Sequence, residues 1–275
     1  MKKILLPAVL AALCLGSASC RREAAPRISI FCDHIETAAR QEGISFAEAA
    51  ARFREMGYAG ADIRVLQDPA EIRTLDSLGF AHACAITDIN YAAGDQTEME
   101  DRTIAFMEEG GYERLLLVPG LMGKESTQED REAVRQRIAA FAARVTARGF
   151  QILVEDYDNP RSLCFNTERL DSLFALSGDL GLVFDTGNFL FAGEEALACF
   201  DHFRDRIGHV HLKDRVSPAD MHCVPAGTGC IPMADIVRRL AASGYDGWYT
   251  VEQYGSSSML ADSRTAYGNV IKMLE

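Results

Sequence analysis

From residue 27 to the C-terminus, short apolar runs alternate with longer segments in which apolar residues recur every three to four positions. Runs of this length fit strands buried on both faces, and the longer period fits helices packed over them. Strands are predicted over residues 27–35, 60–65, 82–90, 114–118, 150–155, 181–185 and 208–213, with an eighth over 248–252. Helices are predicted over 46–56, from Pro69 to Gly79, over 97–109 and 127–148, from Thr167 to Gly178, over 194–203 and 232–243, and from Ser257 on. Their ends carry stop and start chemistry. Ser45 with Glu48 forms a capping box, Pro69 suits a first turn, and Gly149 suits a C-terminal cap. Eight strand–helix units with no evident linker predict an α/β chain folded as a single (β/α)8 TIM barrel over residues 27–275. A doubly wound open sheet would need a glycine-rich phosphate turn after the first strand. Phe31-Cys32-Asp33-His34 supplies none.

The N-terminus follows a different pattern. Lys2-Lys3 precede an apolar stretch from Ile4 to Gly16, and Ser17-Ala18-Ser19-Cys20 follows. The stretch is too short to span a bilayer and reads as a signal peptide. Residues 1–20 are therefore expected to be a lipoprotein-type signal, with Cys20 lipidated as the only membrane contact and residues 21–26 as a tether. An exported protein, periplasmic or held at the membrane of a bacterium, is expected. The net charge of −12 over 275 residues argues against nucleic acid, whose backbone selects clustered Lys and Arg. Cys32, Cys84, Cys164 and Cys199 sit in apolar surroundings and read as small hydrophobes. Cys223 and Cys230 flank a Pro/Gly-rich loop and form the one pair to test as a disulfide.

Four strand ends carry metal-ligand residue types: Glu155, Asp185, His211 and Glu252. They recur at about the 31-residue spacing of a barrel unit, with a longer stretch before the last. Catalytic groups of such barrels sit at the C-terminal strand ends, so the four should converge. A lone acidic residue at a strand end is usually a helix cap; four at one architectural level point to a cation site. Three carboxylates and one imidazole suit Mn²⁺, Mg²⁺, Co²⁺ or Zn²⁺ and are too oxygen-rich for a structural zinc. A cation chelating adjacent carbonyl and hydroxyl oxygens would stabilise an enediolate, and a carboxylate beside it can remove the α-proton. Return of the proton on the other face is epimerisation, and return to the neighbouring carbon is isomerisation. Loss of a β-group instead gives a dehydratase or lyase. His209, read as having the opposite strand parity to His211, is expected to point out of the barrel.

Gly181-Leu182-Val183-Phe184-Asp185-Thr186-Gly187-Asn188, then His209-Val210-His211-Leu212-Lys213-Asp214, then Gly244-Tyr245-Asp246-Gly247 before Glu252 resemble the sugar phosphate isomerase/epimerase family. That family has the xylose-isomerase-like barrel and includes ketose 3-epimerases and inosose dehydratases. The resemblance implies that Glu155, Asp185, His211 and Glu252 bind the metal and that Glu155 and Glu252 are the acid/base pair. Asn188 stands where several epimerases have His, and Arg215 matches a substrate-binding Arg. Lys213 would hold a substrate hydroxyl or pair with Asp214. His34, Asp62, Asp88 and Asn90 are candidates for the pocket wall; Asp158 is expected behind the ligands or in a turn, and the aromatics Phe31, Tyr91, Phe189 and Trp248 to stack on sugar or to pack in the core. The expected activity is a divalent-metal-dependent isomerase or epimerase acting on a non-phosphorylated sugar or keto-sugar. The alternatives are a dehydratase or 3-keto-glycoside lyase on the same site, and a non-catalytic sugar-binding lipoprotein. A related barrel endonuclease would need more strand-end histidines and a less acidic chain. The expected partner is a small carbohydrate, and self-association stays open.

Overall fold

Residues 26–275 are described by the structure, a computed structural model. The stretch expected to be a signal peptide, Cys20, and all of the expected tether except Pro26 lie outside the described residues. β1 (Ile28–Phe31) passes straight into α1 (Cys32–Glu42), and α2 (Phe46–Met56) follows. Next come β2 (Gly60–Arg64), α3 (Pro69–Ser77), β3 (Ala81–Asp88), α4 (Thr97–Gly110), β4 (Arg114–Val118) and α5 (Gln128–Thr146). β5 (Gln151–Glu155), α6 (Thr167–Leu176), β6 (Leu180–Asp185) and α7 (Ala196–Phe203) continue the alternation. β7 (Ile207–Ser217) folds back on β8 (Asp220–Val224) before α8 (Met233–Ala242), β9 (Tyr249–Glu252) and α9 (Met259–Leu274).

Eight parallel strands close into a (β/α)8 barrel. β1 pairs with β2 on one side and β9 on the other, and β7 joins β6 to β9. Among the described residues only β8 is antiparallel, laid along the outer part of β7. Two elements differ from expectation. The first strand stops at Phe31, because Cys32, Ile35, Ala38 and Ala39 bury one helical face. α1 is thus a helix where the apolar run suggested strand to residue 35. The seventh strand overruns Lys213 and makes a hairpin at the barrel mouth.

The largest core lies between barrel and helices. It takes the outward strand positions, among them Ile28, Ile30, Ala61, Ile63, Leu115, Leu117, Ile152, Val154, Leu182, Phe184, Val210, Leu212 and Val251. The inward positions alternate with these. On β1 and β3–β6 they form a separate apolar plug of Phe31, Cys84, Ile86, Leu116, Leu153 and Val183. On β1, β2, β7 and β9 the interior is polar: Ser29, Asp62, His209, His211 and Thr250 are all buried. The barrel therefore has an oily half and a hydrogen-bonded half under one mouth.

Candidate active site

Glu155, Asp185 and Glu252 end β5, β6 and β9, and His211 lies on β7 in register with Asp185. Parallel pairing puts these strand ends side by side, and the strand period turns all four side chains inward. One ligand atom from each lies within 4.8 Å of the other three. His211 Nδ1 is 2.5 Å from Glu155 Oε1 and 3.2 Å from Glu252 Oε2. The Lys213 ammonium sits 2.9 Å from Asp185 Oδ2 and forms an ion pair with Glu252 Oε1.

The loop after β6 is built to fix Asp185. Its Oδ1 accepts the backbone N–H groups of Gly187 at 2.7 Å and Asn188 at 2.9 Å. A Cβ at position 187 would lie 2.8 Å from the Lys213 carbonyl, so glycine is what lets the two loops touch. Behind it the buried Asp156 accepts the Asp185 N–H at 3.1 Å. Asn188 is fully engaged: Nδ2 donates to the Asp156 carbonyl, while Oδ1 accepts from Lys213 Nζ at 3.0 Å and Arg215 Nη2 at 3.1 Å.

A cavity of about 400 Å³ opens on these groups, its walls including Phe31, Arg64, Asp88, Tyr157, Asp158, Asn188, Lys213, Arg215, Met221, His222, Cys223 and Tyr254. Arg64, Tyr157, Tyr254 and the hairpin residues Met221, His222 and Cys223 are not foreseen as pocket residues, whereas Lys213 and Arg215 are. Arg64 carried a usable signal, because it lies two residues after Asp62 on the same strand face, one step nearer the mouth. It pairs with Asp33 at 3.0 Å and Asp88 at 2.6 Å, and Tyr254 donates to the same Asp33 carboxylate. The hairpin is anchored by Asp214, whose carboxylate accepts the backbone N–H groups of Arg215, Gly227, Gly229 and Ile231. Lys213 consequently pairs with Asp185 and Glu252, not with Asp214.

Other expectations are corrected. Asn90 lies beyond the end of β3, is exposed, and is not part of the cavity wall. His34 rides on α1, fully buried behind the wall, and its Nε2 accepts the Gln253 N–H at 2.9 Å. Asp62 lies below the cavity rather than on its wall. His209 is two residues from His211 and shares its inward face; Nε2 meets Asp62 Oδ2 at 2.8 Å. Of the four aromatics, Phe31 faces the cavity, with its ring 4.7 Å from that of His211. Tyr91 and Phe189 are core, and Trp248 lies against Gly60. Cys223 and Cys230 are both free thiols. Cys223 faces Arg215 across the hairpin, while the Cys230 N–H reaches the Arg215 carbonyl from the other edge.

Burial pushes the Asp185 carboxyl up to about 7, against the pull of Lys213. Burial acts the same way on Glu252, but the Lys213 ammonium and His211 ring outweigh it and hold the group well below the carboxylate range. Burial likewise opposes charge on Lys213, yet Asp185 and Glu252 overcome it and keep the ammonium protonated. Burial opposes charge on His211 too, yet Glu155 and Asp62 raise it well above its ordinary value, so three carboxylates face the Lys213 ammonium and the His211 ring, and the remaining negative charge is one that a divalent cation would match. The donor set fits that cation as well: hard oxygens plus one imidazole, turned to one point.

His34 gives a pH-dependence of stability. Its Nε2 must be neutral to accept from Gln253, and burial pulls it from an ordinary 6.5 down to about 4. The unfolded chain takes up this proton below pH 6.5 and the folded chain does not. The stabilisation is thus complete above 6.5 and is lost as the pH falls through about 4, a difference of about 3 kcal/mol. Thermal unfolding in chelator should show this slope, and His34→Gln should flatten it; an equally steep variant would remove the assignment.

A family profile described as xylose isomerase-like TIM barrel matches residues 36–275. An inosose dehydratase from Lacticaseibacillus casei is 35% identical over 105 residues, covering 31% of this chain and 35% of that protein. The match thus spans about a third of that relative's length. A structure of L-ribulose 3-epimerase superposes with a TM-score of 0.71 at 19% identity, covering 90% of this chain and 94% of that one. A xylose isomerase-like TIM barrel protein from Mycobacterium smegmatis in complex with magnesium gives 0.67 at 15% identity, covering 91% and 98%. The structural likenesses carry the fold, and the profile carries the family. The chain belongs to the xylose isomerase-like TIM barrel family.

Proposed function

We propose that the protein is a divalent-cation-dependent enzyme that moves a proton next to the carbonyl of a non-phosphorylated sugar or keto-sugar, as an isomerase or epimerase. The observation that carries this reading is the meeting of Glu155, His211 and Glu252 at the floor of one cavity, with the fully buried Asp185 against them. Glu155, Asp185, His211 and Glu252 would hold the cation, which supplies a Lewis acid for the substrate carbonyl when bound. Glu155 and Glu252 reach the floor from β5 and β9 and are the candidate acid/base pair. Lys213, tied to Glu252 and Asn188, would orient a substrate hydroxyl from the same side. Phe31 keeps one side of the His211 ring dry.

The cavity wall supports an unphosphorylated substrate. Lys213 is spent on Asp185 and Glu252, Arg64 on Asp33 and Asp88, and Arg215 on the Met221 carbonyl and Asn188. Asp88 and Asp158 add negative charge to the same wall. A phosphate dianion would meet repulsion from these carboxylates, with Lys213 and Arg64 already paired to anions. Export on a lipid anchor at Cys20 agrees with that choice and is part of the proposal.

The likeness to an inosose dehydratase favours a second reading, in which the same proton abstraction is followed by loss of water or an aglycone from the β-position. Incubating Mn²⁺-loaded protein with ketoses, inososes and 3-keto-glycosides in deuterated water separates the two. Deuterium beside the carbonyl with an altered stereocentre or shifted carbonyl supports the isomerase. Released water or aglycone supports the lyase. Saturable binding without exchange or release on any of them would leave only a binding protein.

A further inference from the structure

The polar half of the barrel interior contains a group that the cavity never touches. Asp62, on β2, lies directly beneath His211 and is completely buried together with His209 and His211. Its Oδ2 accepts from His209 Nε2 at 2.8 Å and from His211 Nε2 at 3.1 Å. Its Oδ1 accepts from Thr250 Oγ1 at 2.9 Å, and Thr250 is itself joined to Ser29 Oγ at 2.6 Å. β1, β2, β7 and β9 thus tie one carboxylate in place from three directions.

We propose that Asp62 is a positioning residue for the cation centre: it accepts the His211 Nε2–H and so turns Nδ1 toward the carboxylates of Glu155 and Glu252. The argument rests on the cation centre proposed above. An imidazole has two nitrogens, and which one can bind a cation is set by the hydrogen bond that the other makes. His211 Nδ1 faces Glu155 and Glu252, and Nε2 faces Asp62. A flipped ring would set carbon against Asp62 Oδ2 and withdraw the nitrogen from the cluster. The ring is also confined by Phe31 at 4.7 Å and by the nearly perpendicular His209 at 5.3 Å. His209 has the complementary task of holding the oxygen that His211 uses.

Asp62, Cys84 and His209 also lie within 4.8 Å of one another. Hydrogen bonds already occupy both Asp62 oxygens, and the Cys84 thiol donates to the Ala85 carbonyl at 3.3 Å. The group therefore reads as a hydrogen-bonded support rather than a second cation site.

The test is Mn²⁺ titration of chelator-stripped protein by calorimetry, with thermal unfolding of the metal-free form measured alongside. Asp62→Asn should weaken Mn²⁺ binding by about 10–100-fold, the range seen when a histidine ligand loses its outer partner. Ser29→Ala is the control: Ser29 is buried and hydrogen-bonds Thr250, but neither Asp62 nor His211. It should lower the unfolding temperature while leaving the Mn²⁺ affinity within about twofold, a margin set by that same range. Wild-type affinity in Asp62→Asn overturns the positioning role while leaving the cation centre intact. Equal weakening by Ser29→Ala also overturns it, by showing that affinity follows general stability. Failure of the parent protein to bind Mn²⁺ overturns the cation centre and this role with it.

Discussion

Glu252→Gln and Glu155→Gln are each expected to lower kcat at saturating Mn²⁺ by about 10²–10⁴-fold, the usual contribution of a positioned acid or base. The amide keeps the shape and one acceptor oxygen, so Lys213 retains a partner at position 252 and His211 one at position 155. What is lost is the ability to take a proton. The two variants should also differ in kind. If the side chains serve opposite faces of the substrate, each variant keeps exchange on the face served by the other. Deuterium uptake from substrate alone and from product alone would then be lost separately. Full turnover in either variant removes that residue from the pair. Mass spectrometry of substrate and product after timed incubation in deuterated water reads both quantities.

The convergence of four side chains was legible because they share an architectural level as well as metal-ligand residue types. Glu155, Asp185, His211 and Glu252 each close an apolar run, and a closed parallel barrel brings the ends of such runs together. The support beneath them was harder to see. Asp62 ends no such run: Ile63 and Arg64 continue β2 past it. His209 was legible in principle, since residues two apart on a strand share a face, and the outward assignment ran against that rule. α1 hid for a different reason. Its N-cap residue Phe31 makes no side-chain cap and its first residue, Cys32, is apolar, so nothing marks the end of the strand. Only the spacing of Cys32, Ile35, Ala38 and Ala39 reveals the helix. The β7–β8 hairpin was masked by charge. Lys213-Asp214-Arg215 reads as a solvated loop, yet Asp214 is fully buried because four backbone N–H groups converge on it. Those donors come from a loop up to 17 residues away, which no local pattern exposes.

Stripping the divalent cation should abolish turnover and also weaken the fold. Glu155, Asp185 and Glu252 crowd one buried place with Lys213 as the single ammonium among them. Buried like charges are costly unless a counter-charge is present. A cation that binds only the folded chain adds stability by mass action, about 2.7 kcal/mol at a hundred times its dissociation constant. For a domain of this size that corresponds to a rise of roughly 5–10 °C in Tm. The rise should grow with the logarithm of added Mn²⁺, reverse with chelator, and shrink in Asp185→Asn, which keeps the shape and removes one charge. Activity should return with the same concentration dependence as Tm, because both would report occupancy of one site. A Tm that ignores the cation, or activity that survives exhaustive chelation, would separate the carboxylate cluster from metal binding. Glu155 and Glu252 would then have to work with Lys213 and His211 as the electrophiles beside them.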